Sequence, residues 1–316
     1  MPERTDAEFP SGAETCAAWR YAGEGDAFAS ERGRPCVVMA HGIGGTRDSG
    51  LEPFAEAFAD AGLDALVFDY RNFGASTGEP RQLAWPSRHR GDYRAAVAFA
   101  RRLDGVDPDR IVLWGTTWSG GHVVYVAADD PRIAAVIAHT ADLDGLRTLR
   151  EISRYAAWGQ LLRMNLEALK DAVRAIRRQP PHLIPIVAKP GRVAVLTSED
   201  SEPGYLAIAG PSWRNEVTAR CLLAEASNRP ISRMDNVQCP ILVQIADRDQ
   251  VAPPPGARAA AWRAKGRVEV REYPCAHFDI YLGAWRERSI ADQLHFLRRH
   301  LGAAEAREPA SLTSET

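Results

Sequence analysis

LWGTTWSGGHV, residues 113–123, decides the fold of this chain. An apolar, β-branched run from Ile111 to Trp114 meets Gly115, then Thr116 and Thr117, then Trp118, Ser119, Gly120 and Gly121 ahead of a helical pattern. A strand that turns sharply into a helix holds the residue at the tip of the turn, here Thr117, clear of the sheet. Gly115, Gly120 and Gly121 suit such a turn, because helix and strand must pack closely around the exposed hydroxyl. Thr117 is therefore a candidate nucleophile. Its γ-methyl restricts χ1 and crowds the approach of an acyl carbon, which a serine in the same place would not do.

Working outward, the same plan repeats. PCVVMAH (35–41) breaks at the glycine-rich turn HGIGG, and LDALVFDY (63–70), RIVLWG (110–115) and RIAAVIAHT (132–140) are further apolar strand runs. LEPFAEAFADAG and DYRAAVAFARRL, lying between them, space apolar residues three or four apart, as amphipathic helices do. CPILVQIAD (239–247) and VEVREYP (268–274) add two strands, and ERSIADQLHFLRRHL closes the domain as a helix ahead of a frayed polar tail from Gly302. Strands alternating with helices predict an α/β fold, with a mostly parallel sheet covered on both faces. ETCAAWRY near the start reads as part of a preceding antiparallel hairpin.

Between residues 142 and 236 the rhythm is lost. LRTLREISRYAAWGQLLRMNLEALKDAVRAIRR predicts two helices, and RPISRMDNVQ leads back to the core. The stretch is too rich in Leu, Trp and Tyr for a disordered linker. It is expected to be a mainly helical cap over the carboxyl ends of the strands, where ligands sit in open α/β sheets. The division is then core at 1–141 and 237–316, with the cap at 142–236.

Composition narrows the function. A formal charge of -2 offers no basic excess to attract a phosphate backbone, so no nucleic acid is expected. No apolar run approaches the roughly 18 residues of a membrane span, and the first residues carry no secretory signal. The five cysteines, widely spaced and odd in number, read as free thiols in a reducing cytoplasm. No residue cluster has metal-ligand spacing, and no motif asks for a cofactor: HGIGG lacks the Gly-Lys-Ser/Thr ending of a phosphate loop. The Ala- and Arg-rich composition suits a high-GC bacterial gene. Oligomeric state is left open.

The partners of Thr117 come in the order acid, then histidine, each past a predicted strand. Asp249 in ADRDQVAPP is favoured over Asp247 by the turn after it; its carboxylate would fix the histidine tautomer. His277 in EYPCAHFDIYLG is the candidate base, with a buried structural role as the alternative. Backbone N–H groups of Ile43 and Trp118 are candidate oxyanion donors, such donors contributing roughly 3–4 kcal/mol to transition-state stabilisation. Ser119 is a competing nucleophile that falls at the first helical turn. Asp69 and Arg71 organise a turn, His41 supports HGIGG by a hydrogen bond, and His122 packs inside the helix. Tyr70, Trp158, Tyr205 and Trp213 are candidate pocket residues, with Leu161 and Leu162 beside them.

MAHGIGG, DYRNFGAST, LWGTTWSGGHV, ADRDQVAPP and YPCAHFDIY together resemble the α/β-hydrolase superfamily across residues 12–301, nearest to dienelactone-hydrolase and X-prolyl-peptidase-like members. The resemblance implies Thr117 as nucleophile, Asp249 as acid, His277 as base, and Ile43 and Trp118 as oxyanion donors. Two positions depart from the pattern: threonine replaces serine at 117, and Ser119 stands where a glycine is usual. The implied reaction is acyl transfer on a small to medium ester, thioester or amide. Alternatives are a non-hydrolytic cyclase, acyltransferase or lyase using His277, a hydrolase weakened by a natural or engineered serine-to-threonine replacement, and a non-catalytic ligand-binding protein.

Overall fold

The computed structural model of the protein describes residues 2–264 and 266–302, so the tail beyond Gly302 lies outside the described residues. The chain opens with β1 (Arg4–Ser11) and β2 (Glu14–Tyr21), then β3 (Arg34–Ala40), α1 (Glu52–Asp60), β4 (Asp64–Phe68) and α2 (Pro86–Ala100). Next come β5 (Val106–Thr116), α3 (Trp118–Asp129) and β6 (Ile133–His139). After β6 the chain leaves the sheet through α4 (Gly145–Tyr155), α5 (Trp158–Ile176), β7 (Leu183–Ile184), α6 (Ser201–Ile208) and β8 (Val217–Thr218). Two 3-10 segments, Ala219–Ser227 and Pro230–Asn236, return it to β9 (Ile241–Ala246), α7 (Pro254–Arg263), β10 (Val268–Tyr273) and α8 (Gly283–Leu301).

Eight strands form one sheet in the order β1-β2-β4-β3-β5-β6-β9-β10. β1 with β2, and β2 with β4, pair antiparallel; the remaining neighbours are parallel. The N-terminal hairpin thus extends the parallel sheet at one edge. All residues of β4 and β9 are buried, which is why these strands read as apolar runs, broken only by Asp64 and Gln244, rather than alternating ones. Val37 and Met39 face Phe54 and Phe58 of α1 and Phe296 of α8, while Val38 and Ala40 face the layer that holds Tyr93 of α2 and Val123 of α3. That period of two is the strand pleat.

Strand register decides where the loops meet. Gly115 of β5 pairs with Ala40 of β3 and with Ala138 of β6, so the carboxyl ends of three central strands finish level. The inserted helical region sits over that end and is built around Asp171 of α5. This fully buried carboxylate accepts the His182 N–H at 2.8 Å and the Arg220 N–H and Nε at 3.0 and 2.7 Å. Among the elements that escape the sequence pattern are α6, α7 and the β7–β8 pair. α6 contains Pro203 and Gly204, which locally mark a loop, and tertiary packing against Phe278 overrides them. All five cysteines are free and buried. Among the described residues no helix is long and apolar enough to cross a membrane.

Burial pushes His41 and His139 down to about 4, and His122 to about 3. In the unfolded chain these rings protonate near pH 6.5, so below that value the unfolded state takes up protons that the fold refuses. Stability is full above about pH 6.5 and falls as the pH drops towards 4. Urea midpoints measured between pH 7.5 and 5.0 should therefore decline. Both ring nitrogens of His122 lack a partner among the described residues, so His122→Leu should remove about 2 kcal/mol of that decline. Equal declines in parent and variant would contradict the assignment.

Candidate active site

Thr117 joins β5 to α3 with φ 51° and ψ -116°. A positive φ on a β-branched residue costs on the order of 1–3 kcal/mol. The turn is held by its own backbone: the Thr117 N–H donates to His139 O at 3.2 Å, and the Asp142 N–H donates to Thr117 O at 2.9 Å. It closes only because side chains are missing around it. A Cβ on Gly115 would stand 2.3 Å from Ser119 O, and one on Gly120 would stand 2.3 Å from Ala141 Cβ.

Thr117 Oγ1 lies 3.0 Å from His277 Nε2, and His277 Nδ1 lies 2.6 Å from Asp249 Oδ2. The three residues come after β5, β10 and β9, so the topology brings their loops together at one end of the sheet. Asp249 Oδ1 accepts the N–H groups of Val251 and Ala252 at 2.8 and 2.7 Å, which fixes the carboxylate in the VAPP turn. Asp247, by contrast, is exposed. His277 is buried and packed edge-on by Phe278. With Nδ1–H directed at Asp249, Nε2 is the basic nitrogen facing the hydroxyl.

Ser119 is differently engaged. Its Oγ accepts the Thr116 N–H at 2.7 Å and lies 2.9 Å from the carbonyls of Ala40 and Thr116. Buried and bonded on all sides, it braces the turn from beneath. Tyr281, from the segment after His277, hydrogen-bonds through its hydroxyl to Thr116 Oγ1. Ile43 and Trp118 both border the cavity at Thr117, and among the described residues neither backbone N–H has an acceptor. The HGIGG turn is braced by a bond from His41 Nδ1 to Gly42 O at 2.9 Å and one from Tyr205 Oη to Ile43 O at 3.0 Å.

A cavity of about 370 Å³ leads from Ile43, Thr117 and Trp118 into the cap. Leu149 and Ile152 of α4, Leu161 and Met164 of α5, and Leu222 wall it. Tyr205 lines a smaller neighbouring space with Thr117 and His277, and Trp213 stacks on Tyr205 at 5.0 Å. Tyr70, Trp158 and Trp213 line neither space. Tyr70 lies in the core, stacked on His89 at 3.9 Å, and Trp158 is 80% exposed at the start of α5. Leu162 likewise faces outward from α5. Asp69 accepts the Arg47 and Ala75 N–H groups, and Arg71 pairs with buried Asp92 at 2.6 Å, both holding turns. Asp142 and Glu225, absent from the sequence argument, both border the cavity, and no local motif marks either of them.

A family model described as alpha/beta hydrolase fold matches residues 35–284. The quorum-quenching protein AidA of Acinetobacter baumannii is 38% identical over 296 residues, covering 93% of this chain and 94% of that protein. The thiohydrolase aneE of Aspergillus aculeatus is 31% identical over 248 residues, covering 72% and 74% respectively. Among solved structures, the alpha/beta hydrolase GrgF from Penicillium sp. sh18 superposes with a TM-score of 0.78 at 23% identity, covering 95% of this chain and 99% of that one.

Ser119→Ala should lower unfolding stability by about 1–3 kcal/mol, because the Thr116 N–H is left buried without an acceptor. A denaturant titration measures this. A variant as stable as the parent would contradict the bracing role.

Proposed function

Because this chain belongs to the alpha/beta-hydrolase fold family, we propose that it is an acyl-transfer enzyme on small esters or thioesters that works through an acyl-Thr117 intermediate. The observation that carries the proposal is the continuous line from Thr117 Oγ1 to His277 Nε2 at 3.0 Å and from His277 Nδ1 to Asp249 at 2.6 Å. The related thiohydrolase supports acyl chemistry. The relatives lend no support to a dienelactone hydrolase or an X-prolyl peptidase.

In the first step Thr117 Oγ1 bonds to the acyl carbon while His277 Nε2 takes its proton. Asp249 keeps the imidazolium oriented and stabilises it. Negative charge builds on the former carbonyl oxygen, and the Ile43 and Trp118 N–H groups donate to it. Collapse expels the alcohol or thiol leaving group, which takes the proton from His277. Water, deprotonated by the same imidazole, then attacks the acyl-threonine ester; the products are a carboxylic acid and free Thr117. The acyl chain lies in the apolar cavity beneath the cap, residues 142–236.

The γ-methyl of Thr117 sets the rate. Gly42 makes room for the hydroxyl end of the side chain, since a Cβ there would stand 3.1 Å from Thr117 Cβ and Oγ1. The methyl still flanks the line of attack, and displacing the reacting atoms by about 1 Å costs on the order of a hundredfold.

Incubation with a p-nitrophenyl ester, then intact mass and peptide mapping, should locate the acyl group on Thr117. An adduct found only on Ser119 would sink the mechanism. Thr117→Ala should lower kcat/KM by roughly a thousandfold or more, and Thr117→Ser should raise p-nitrophenyl ester hydrolysis about tenfold or more. No gain in the serine variant would show that the methyl does not limit attack.

A further inference from the structure

The larger cavity is apolar over most of its wall, yet two acids stand at the end nearest the elbow, Asp142 and Glu225. Asp142 comes after β6 and is tied to the elbow through its backbone bond to Thr117 O. Its Oδ1 accepts the Thr148 hydroxyl at 2.8 Å and the Asp144 N–H at 3.3 Å. Glu225 comes from the 3-10 segment Ala219–Ser227 of the cap, and its Oε2 accepts the Trp118 indole N–H at 2.7 Å. Its Oε1 is buried and meets no N–H or hydroxyl donor among the described residues. Each carboxyl group lies close enough to perturb the other's ionisation.

Neither acid forms a salt bridge among the described residues, so no cation compensates the pair. Burial and the adjacent Asp142 push Glu225 well above the usual carboxylate range, and burial raises Asp142 as well. Like charges that close cannot both persist in an apolar wall, so Glu225, with its partnerless Oε1, carries a proton. The pair therefore presents a donor and an acceptor side by side. A plain hydrocarbon chain in this cavity would leave that donor and acceptor unmet, whereas a hydroxyl satisfies both. The elbow sets the position along the chain. Trp118 directly succeeds Thr117 and carries Glu225 on its indole, so the first carbons beyond the reacting carbonyl pass the pair.

We propose that Asp142 and Glu225 are specificity-determining residues for a hydroxyl on the acyl chain close to the reacting carbonyl, making 3-hydroxyacyl esters or thioesters the preferred substrates. The hydroxyl donates to Asp142 and accepts from Glu225, while the rest of the chain lies against Leu149, Leu161 and Met164. This recognition rests on acyl transfer through Thr117 and adds to it the class of acyl group.

The test measures binding in the Thr117→Ala protein, so that no ligand is consumed. Calorimetry compares methyl octanoate with each enantiomer of methyl 3-hydroxyoctanoate. One enantiomer should bind at least tenfold tighter than the unsubstituted ester. Adding Glu225→Leu should bring the two within threefold without weakening methyl octanoate, and Glu225→Gln, which keeps a hydrogen-bonding head, should retain most of the preference. Should the leucine variant lose cooperative unfolding, Asp142→Asn takes its place and should cut the preference at least threefold. Equal affinity for all ligands, binding of none, or a preference untouched by these replacements would overturn the proposal. Intact discrimination with no turnover of either ester by the Thr117 protein would reject the acyl-transfer function while supporting the recognition.

Discussion

The site depends on the backbone of one residue. Thr117 is held at positive φ by an N–H bond to β6 and by a carbonyl bond from Asp142, where the chain departs for the cap. Strain at such a turn persists only when its surroundings over-determine it. Here the surroundings are two backbone hydrogen bonds, the Ser119 hydroxyl beneath, and glycines where any Cβ would collide. The same bonds join elbow and cap. Asp142 touches Thr117 through its backbone, and Glu225 of the cap bonds the Trp118 indole on the other side of the elbow. The cap is thus fixed to the residue that it covers.

The sheet is legible in the sequence because its physics is local. Strands buried on both faces must be mostly apolar, and β3, β4, β6, β9 and residues 111–114 of β5 read that way. The ordered appearance of Thr117, Asp249 and His277 after strands is legible for the same reason, since parallel strands carry their succeeding loops to one edge. Asp249 is distinguished from Asp247 by a local signal too: the turn after Asp249 supplies the Val251 and Ala252 N–H groups that orient it.

The cavity is not legible, and α5 shows why. The helix is apolar on more than one face: Leu161 and Met164 look into the cavity while Leu162 and Leu166 look out. Periodicity finds a helix but cannot say which stripe meets which neighbour. Trp158 is a case of this, an aromatic residue in a cap that the helix start turns to the outside. Tyr70 misleads for a different reason, because its hydroxyl suggests a wet surface although the ring is fully packed among His41, Phe68 and His89. Asp142 and Glu225 meet only in three dimensions, from opposite ends of the insertion. Nothing in the spacing of either one points to the other.

The threonine gains a defined meaning from this geometry. Its hydroxyl keeps the contact with His277, so the β-branch has not displaced the oxygen from the base. The close approach of Gly42 leaves room for Cβ and that hydroxyl. In the proposed mechanism base activation, set by the 3.0 Å contact, is separable from steric access, set by the methyl in a second direction. An acyl group on Thr117 is the ester of a secondary alcohol, hindered at its carbonyl by that methyl. Hindrance of this kind acts on every incoming nucleophile. In the proposed mechanism, selection between water and another acceptor consequently falls to the shape and polarity of the cavity, not to Thr117 itself.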